Sequence, residues 1–228
     1  SGCDPVVIPF PVYGPGPFPR FGSFDAGSVM MINPCAYKGI SIFLDLARRM
    51  PDVQFAAVPS WGTTPVDRAA LERLPNVRLL KATDGIDELF AQTRVLLVPS
   101  LWAEGFPLVP VEAMLRGIPV IASNSTGLPE SKLGVDYVLP VRTIEHYQHQ
   151  FDDQQLPIPV IPEQHIGPWE ETLRRLLSDR AHYEQLSAAS RAAALSFNSG
   201  LSVAPFEDFL ASLTPAAQAE PITALTPV

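Results

Sequence analysis

A chain of 228 residues with 46% hydrophobic and 18% charged side chains can bury one generous core or two small ones, which excludes a disordered polypeptide. Its 16 basic and 24 acidic groups leave a net charge of −8, which argues against non-specific binding to nucleic acid or to an anionic lipid surface. A site for an anionic ligand must therefore be made locally from a few cations and backbone N–H groups, and Lys38, Lys81 and Lys132 are the only lysines.

Cys3 and Cys35 form neither a CxxC pair nor a metal-ligand cluster, so a reduced, cytoplasmic setting is the expectation. No charged-then-apolar leader opens the sequence, and no apolar run approaches the ~18 residues of a membrane span, so no transmembrane segment is expected. The 25 prolines cluster at 5–19 and 156–168, which marks extended connectors rather than helices. Residues 1–27 accordingly read as a proline-rich interdomain linker whose upstream domain is absent. The Gly-Pro-Gly-Pro run at 14–17 is no dinucleotide fingerprint, because no helix opens after it and its prolines remove donors.

From residue 28 onward strands and helices alternate. Ser28–Asn33 is a buried-strand run, and a helix over 38–50 follows, with Ile40, Phe43, Leu44, Ala47 and Met50 on one face. Strands are expected at 53–58, 76–80, 94–98, 118–122 and 137–139, and helices at 65–74 and 84–92, the second capped by Asp84. That alternation predicts α/β architecture, a Rossmann-like, doubly wound parallel sheet, within a domain over 28–213. Residues 141–165 read as irregular and polar. Helices over 167–178, 179–197 and 203–213 close the domain, and 214–228 read as a tail.

The stretch Pro99–Glu130 is the most informative. Glu104 and Glu112 stand eight positions apart between two strand runs, Glu104 in a loop and Glu112 about two turns into a helix opening near Pro107. In parallel sheets ligands bind beyond the carboxyl ends of the strands, so both carboxylates fall at the expected mouth. The free N–H groups and positive dipole end of that helix would receive a phosphate there. Loop Asn33–Gly39, Asn-Pro-Cys-Ala-Tyr-Lys-Gly, stands at the same end of the first strand. A lysine can hold a diphosphate by charge, and the glycine after it lets backbone approach closely.

The string Glu-Gly-Phe-Pro-Leu-Val-Pro-Val-Glu-Ala-Met, then Gly-Ile-Pro-Val-Ile-Ala-Ser, then Gly-Leu-Pro-Glu resembles the Glu-x₇-Glu region of retaining GT-B glycosyltransferases of the glycosyl transferases group 1 family. The resemblance covers about Ser28 to Pro140. It implies the C-terminal, donor-binding half of a GT-B fold and metal-independent transfer of a sugar, with retention, from a nucleotide-sugar donor. It assigns Lys38, with Gly39 after it, to the donor diphosphate, and counts Asn33 among the donor-binding residues. It assigns Glu104, with the N–H groups of Gly105 and Phe106, to the donor sugar, the helix start at Pro107, Leu108 and Val109 to the departing diphosphate, and Glu112 to the ribose, whose diol needs the acceptors a carboxylate offers. By position the base would lie against Lys81–Ile86, with Thr83 and Ile86 as contacts. Lys38 and Glu104 are the expected catalytic pair, and an N-terminal acceptor domain is the expected partner.

The chain departs from the family pattern twice. Ile32 and Asn33 stand where an arginine is common, and Pro107 replaces the second glycine of Gly-Phe-Gly. The first departure favours the alternative of a non-catalytic nucleotide- or sugar-binding module. An epimerase or phosphorylase of the same architecture fits the Glu-x₇-Glu string poorly. His146 and His149, three apart, lack a third ligand nearby and read as loop surface.

Overall fold

The computed structural model describes residues 5–152 and 155–213; the tail at 214–228 and Cys3 lie outside the described residues. Two compact units are present, one made by Pro17–Phe197 and the other by the described residues before and after it.

The larger unit holds strand β1 (Ser28–Ile32), helix α1 (Ile40–Arg49), β2 (Phe55–Val58), α2 (Pro65–Glu72), β3 (Val77–Leu79) and α3 (Ile86–Phe90). It continues with β4 (Thr93–Val98), α4 (Leu108–Leu115), β5 (Val120–Ser123), α5 (Leu128–Ser131) and β6 (Val138–Leu139). Strands β7 (Tyr147–Phe151) and β8 (Pro157–Pro159) and helices α6 (Gly167–Ser178) and α7 (Arg180–Ser199) follow, α7 belonging to this unit as far as Phe197, and α8 (Ala204–Leu213) belongs to the other unit. In that smaller unit the Phe10 and Phe206 ring centroids are 4.9 Å apart, and the Asn198 amide donates to the Gly14 carbonyl at 3.0 Å.

The first six strands form one parallel sheet in the order β3-β2-β1-β4-β5-β6, so the doubly wound, Rossmann-like sheet expected from the alternation is present. The inner strands β1, β2 and β5 are buried almost throughout. Helices cover both faces, which is why these strands read as unbroken apolar runs instead of alternating ones. The two edges, Val77–Leu79 and Val138–Leu139, are short and only half-buried. Phe43 of α1 meets Phe55 of β2 edge-on at 5.4 Å, and Leu97, Ile121 and Trp169 join the same core.

Polar side chains hold the elements in place. Asn76, buried before β3, aims its amide nitrogen at the carbonyls of Ala47, Met50 and Val53 at 3.0–3.1 Å, which satisfies the carboxyl end of α1. Thr64 and Asp67 make a reciprocal capping box at the start of α2.

Three expectations are corrected. The helix after β1 opens at Ile40, not at residue 38, because Gly39 at φ 82° is its N-cap and leaves Lys38 in the preceding turn. Asp84 does not cap α3. Gly85 is the N-cap, and Thr83 beside it accepts from the Gly85 N–H at 3.2 Å. Residues 141–165 are not wholly irregular, since β7 and β8 pair antiparallel as a hairpin. The strand Tyr-Gln-His-Gln-Phe is exposed along its whole length, so it lacks the one-face alternation that marks a half-buried strand.

Lys132 is completely buried and donates to the carbonyls of Val120, at 2.5 Å, and Asp136, at 2.8 Å. A neutral amine has two N–H groups and both are used here; an ammonium would leave a third donor without a partner. Burial pushes its pKa down to about 7 from the ordinary 10.5. Between those values the unfolded chain holds more protons at this site than the folded one, so stability should rise with pH across the window. Denaturant unfolding of wild type should show that rise, and Lys132→Met should abolish it.

Candidate functional site

The site lies at the carboxyl end of the sheet, where strand order reverses between β1 and β4 and the loops that follow them diverge. The first loop, Asn33–Gly39, is a tight turn in which Lys38 and Ile40 both donate backbone N–H groups to the Cys35 carbonyl, each at 3.1 Å. Gly39 is required there twice over. Its φ is 82°, and a Cβ on it would stand 2.0 Å from the Pro99 carbonyl oxygen. The two loops are further joined by the Leu101 N–H, which donates to the Tyr37 carbonyl at 2.9 Å.

That approach brings Lys38 and Glu104 together. The Lys38 ammonium donates to Glu104 Oε1 at 2.5 Å, and the same oxygen accepts from Ser100 Oγ at 2.5 Å and from Trp102 Nε1 at 3.0 Å. Three donors on one carboxylate oxygen fix its position, and the Oε2 atom accepts no hydrogen bond among the described residues. The ammonium also stands 5.1 Å from the centroid of the Trp102 ring, within cation–π range. The side chains are 22% and 10% exposed, so water screens this pair less than an ordinary surface ion pair.

The Glu104 backbone is held from the far side. Thr126 Oγ1 accepts from the Glu104 N–H at 2.7 Å and lies 2.6 Å from the Glu104 carbonyl oxygen, and Gly127 N–H donates to that carbonyl at 3.2 Å. Gly127 packs so closely that a Cβ would fall 1.3 Å from the Gly105 carbonyl oxygen. The Gly-Leu-Pro-Glu turn thus buttresses the Glu104 loop.

Asn33, Lys38, Glu104, Pro107, Val109 and Trp61 line a cavity of about 210 Å³. Pockets that enclose a drug-sized ligand run to about 300–1,000 Å³, so this one is smaller than a site that encloses such a ligand whole. Asn33 is only 6% exposed. Its Oδ1 accepts from the Gly62 N–H at 3.0 Å, while its Nδ2 is buried without a partner. An orphaned buried donor is costly, and a ligand oxygen in the cavity would satisfy it. Pro107 is the N-cap of α4 and no side chain caps that end. Pro107 and Pro110 carry no N–H, so the first turn offers the N–H groups of Leu108 and Val109.

The remaining expected residues are not among the walls of this cavity. Gly105 stands in open space, Leu108 is exposed, and the Phe106 ring stacks on Phe197 at 5.7 Å. Glu112, on α4, is half-buried and outside the cavity walls. Burial raises its pKa, Arg116 nearby opposes the rise, and its carboxylate makes no hydrogen bond or ion pair among the described residues. Arg116 is occupied elsewhere, by Asp87 and the Glu112 carbonyl. Thr83 and Ile86 also lie outside the walls, with Thr83 Oγ1 donating to Glu88 at 2.9 Å. Among the described residues no three His, Cys, Asp or Glu side chains converge as metal ligands; His149 lies on the exposed β7 and His146 just before it. Sequence reasoning did not single out Ser100, Trp102, Thr126 or Trp61, because their roles depend on partners from other loops.

The model of the family described as Glycosyl transferases group 1 matches residues 27–150. The chain is 58% identical over 41 residues to an uncharacterized 41.2 kDa protein in the cps region of Klebsiella pneumoniae, covering 18% of this chain and 11% of that protein. It is 32% identical over 98 residues to the alpha-1,3/1,6-mannosyltransferase alg-2 of Neurospora crassa, covering 42% of this chain and 20% of that one. The crystal structure of Anabaena Alr3699/HepE in complex with UDP and glucose superimposes with a TM-score of 0.58 at 20% identity, a likeness of fold. That match covers 83% of this chain and 50% of HepE, so the chain spans half of the solved relative and a smaller part of the curated ones.

The packing of the Glu104 loop predicts a contrast between two neighbouring glycines. Gly127→Ala must push the Gly105 carbonyl aside and should destabilise by roughly 1–3 kcal/mol, as over-packing does. Gly105→Ala, which meets nothing within 4 Å, should be close to neutral. Thermal unfolding of the two variants checks the difference.

Proposed function

The chain belongs to the glycosyl transferases group 1 family, and on that premise we propose that it is the donor-binding, C-terminal half of a GT-B enzyme. The reaction is transfer of a sugar, with retention, from a nucleotide-sugar donor to an acceptor. The observation that carries the reading is the cavity at the switch point. There Lys38, Asn33 and the start of α4 at Pro107 and Val109 line one small volume.

These groups suit a departing diphosphate. Lys38 supplies charge, the helix end supplies two N–H groups, and Asn33 supplies a neutral donor that is already desolvated. Lys38 is held by Glu104 before ligand arrives, so a phosphate oxygen must share or replace that carboxylate. Glu104, with its Oε2 free, accepts from sugar hydroxyls at the same time, which orients the anomeric carbon toward the acceptor. Glu112, half-buried and without a partner, accepts from the ribose diol. The base lies toward Thr83 and Ile86. In this reading the cation's work falls to Lys38 and no resident metal is needed. The acceptor is completed by a second wall, in keeping with the half of HepE that the chain spans, and the reaction is cytoplasmic. No helix among the described residues is long and apolar enough to cross a membrane.

Asn33 in the place of the usual arginine favours a second reading, a module that binds the nucleotide sugar without turnover. Donor hydrolysis by the protein joined to an acceptor-binding half separates the two.

Two substitutions test the ligand assignment by calorimetry. Lys38→Ala should weaken a nucleoside diphosphate far more than the bare nucleoside, whereas equal losses would mean that the lysine acts through folding. Glu112→Gln should weaken nucleotide binding by roughly 1–3 kcal/mol. The same variant should be more stable than wild type at neutral pH, because a carboxylate whose pKa is raised by folding costs stability above that pKa. The gain should fade as pH falls and the native carboxyl protonates. Unchanged nucleotide affinity in Glu112→Gln would remove the ribose assignment.

A further inference from the structure

Beside the cavity runs an unbroken row of four aromatic rings drawn from four separate places in the chain. Trp61 follows β2, Trp102 follows β4, Tyr37 precedes α1, and Tyr147 opens the hairpin strand β7. The centroids of Trp61 and Trp102 are 6.2 Å apart, those of Trp102 and Tyr37 5.0 Å, and those of Tyr37 and Tyr147 6.4 Å. The two ends of the row are open to solvent, Trp61 at 52% and Tyr147 at 45% exposure, while Tyr37 is buried. The row is held rigidly: Trp102 donates to Glu104, and the Tyr37 hydroxyl donates to the Pro157 carbonyl of β8, which anchors the hairpin.

The row touches two cavities. Lys38 and Trp61 line the smaller one, and the adjoining residues Tyr37 and Gly62 line a second of about 830 Å³. The larger cavity is walled by Phe151 and Ile158 of the hairpin on one side and by the start of α2 on the other. The guanidinium of Arg68, which lines it, makes no hydrogen bond or ion pair among the described residues and has five donors to offer.

We infer that this row and the larger cavity bind an acceptor saccharide, so that part of the acceptor site lies on this chain. The inference rests on the glycosyl-transfer reading above. A pyranose has apolar C–H faces and a rim of hydroxyls. Its C–H groups, polarised by the ring oxygens, carry partial positive charge and are attracted to the negative face of an aromatic ring. Its hydroxyls require donors and acceptors, which Arg68, Thr63 and Asp67 on the wall of the larger cavity supply. A row of several rings is longer than the single sugar of a donor, and it leads from the Lys38–Glu104 pair outward to the larger cavity. An acceptor chain lying along it would present its terminal hydroxyl at the smaller cavity. A wholly aliphatic ligand would make no use of the polar groups beside the row.

The test is binding of free oligosaccharides to the 228-residue chain, followed by titration calorimetry and tryptophan fluorescence, with and without saturating UDP. The panel comprises linear and branched oligomers of glucose, galactose, mannose and N-acetylglucosamine. At least one member should bind in the millimolar range, and binding should persist when UDP is present. Tyr147→Ala should weaken that member by about tenfold, the loss of one stacking face, and leave UDP affinity unchanged. Tyr147→Phe, which keeps the ring, should bind as wild type does. Trp61→Ala should weaken the saccharide at the other end of the row. Binding of UDP with no saccharide bound from the panel would overturn the acceptor subsite while leaving the donor reading intact. Competition between saccharide and UDP would also overturn it, by placing the sugar in the donor cavity. A saccharide that binds to a chain with no affinity for any nucleotide would overturn the donor reading, and with it the assignment of this saccharide as an acceptor.

Discussion

The close contact between Gly39 and the Pro99 carbonyl governs the geometry of the candidate site. No side chain fits between these two loops, because a Cβ at residue 39 would stand 2.0 Å from that oxygen. The backbone at Gly39 is also left-handed, a conformation that costs other residues about 1–2 kcal/mol. With the loops pressed together, Lys38 reaches Glu104 across 66 positions of sequence. The cavity, the fixed carboxylate and the start of the aromatic row all follow from that approach. The parallel sheet makes it available, since strand order reverses between β1 and β4 and the chain ends of both strands open toward the same crevice.

Charge in this crevice is sparingly placed. In a chain of net charge −8, Lys38 is the lysine at the cavity, and the nearest carboxylate already neutralises it. The ion pair leaves little unpaired charge there, and the Asn33 amide and the uncapped start of α4 offer neutral, directed donors. Such a site selects by geometry more than by attraction at a distance, since oriented donors act only at contact while unpaired charge acts over roughly 10 Å. Glu112 shows the complementary condition. It is a half-buried carboxylate without a partner, a group that folding alone disfavours and a ligand hydroxyl would relieve.

The hairpin illustrates how an element with little core of its own can still be positioned. Strands β7 and β8 expose most of their side chains, and two strands alone are marginal in water. Attachment comes from Tyr37, buried in the site loop, whose hydroxyl donates to the hairpin backbone. The same side chain therefore ties the hairpin to the loop that carries Lys38.

The sequence by itself determined the sheet and most of its helices. Inner parallel strands such as Val29–Met31 and Phe55–Val58 are buried on both faces, so their apolar runs are unbroken and legible without partners. The positions of Lys38 and Glu104 at strand ends were legible for the same reason, because strand ends locate the mouth. Tertiary structure alone decided what those residues touch. That Glu104 takes Lys38, Ser100 and Trp102 on one oxygen, that Asn33 keeps an unpaired amide and that Asn76 closes the end of α1 depend on loops far apart in sequence. The hairpin was illegible because its strands bury neither face and so leave no period-two signal. The aromatic row was illegible because its four rings come from four segments. Local pattern records which way a side chain must face, and contact between distant loops is a property of the folded chain only.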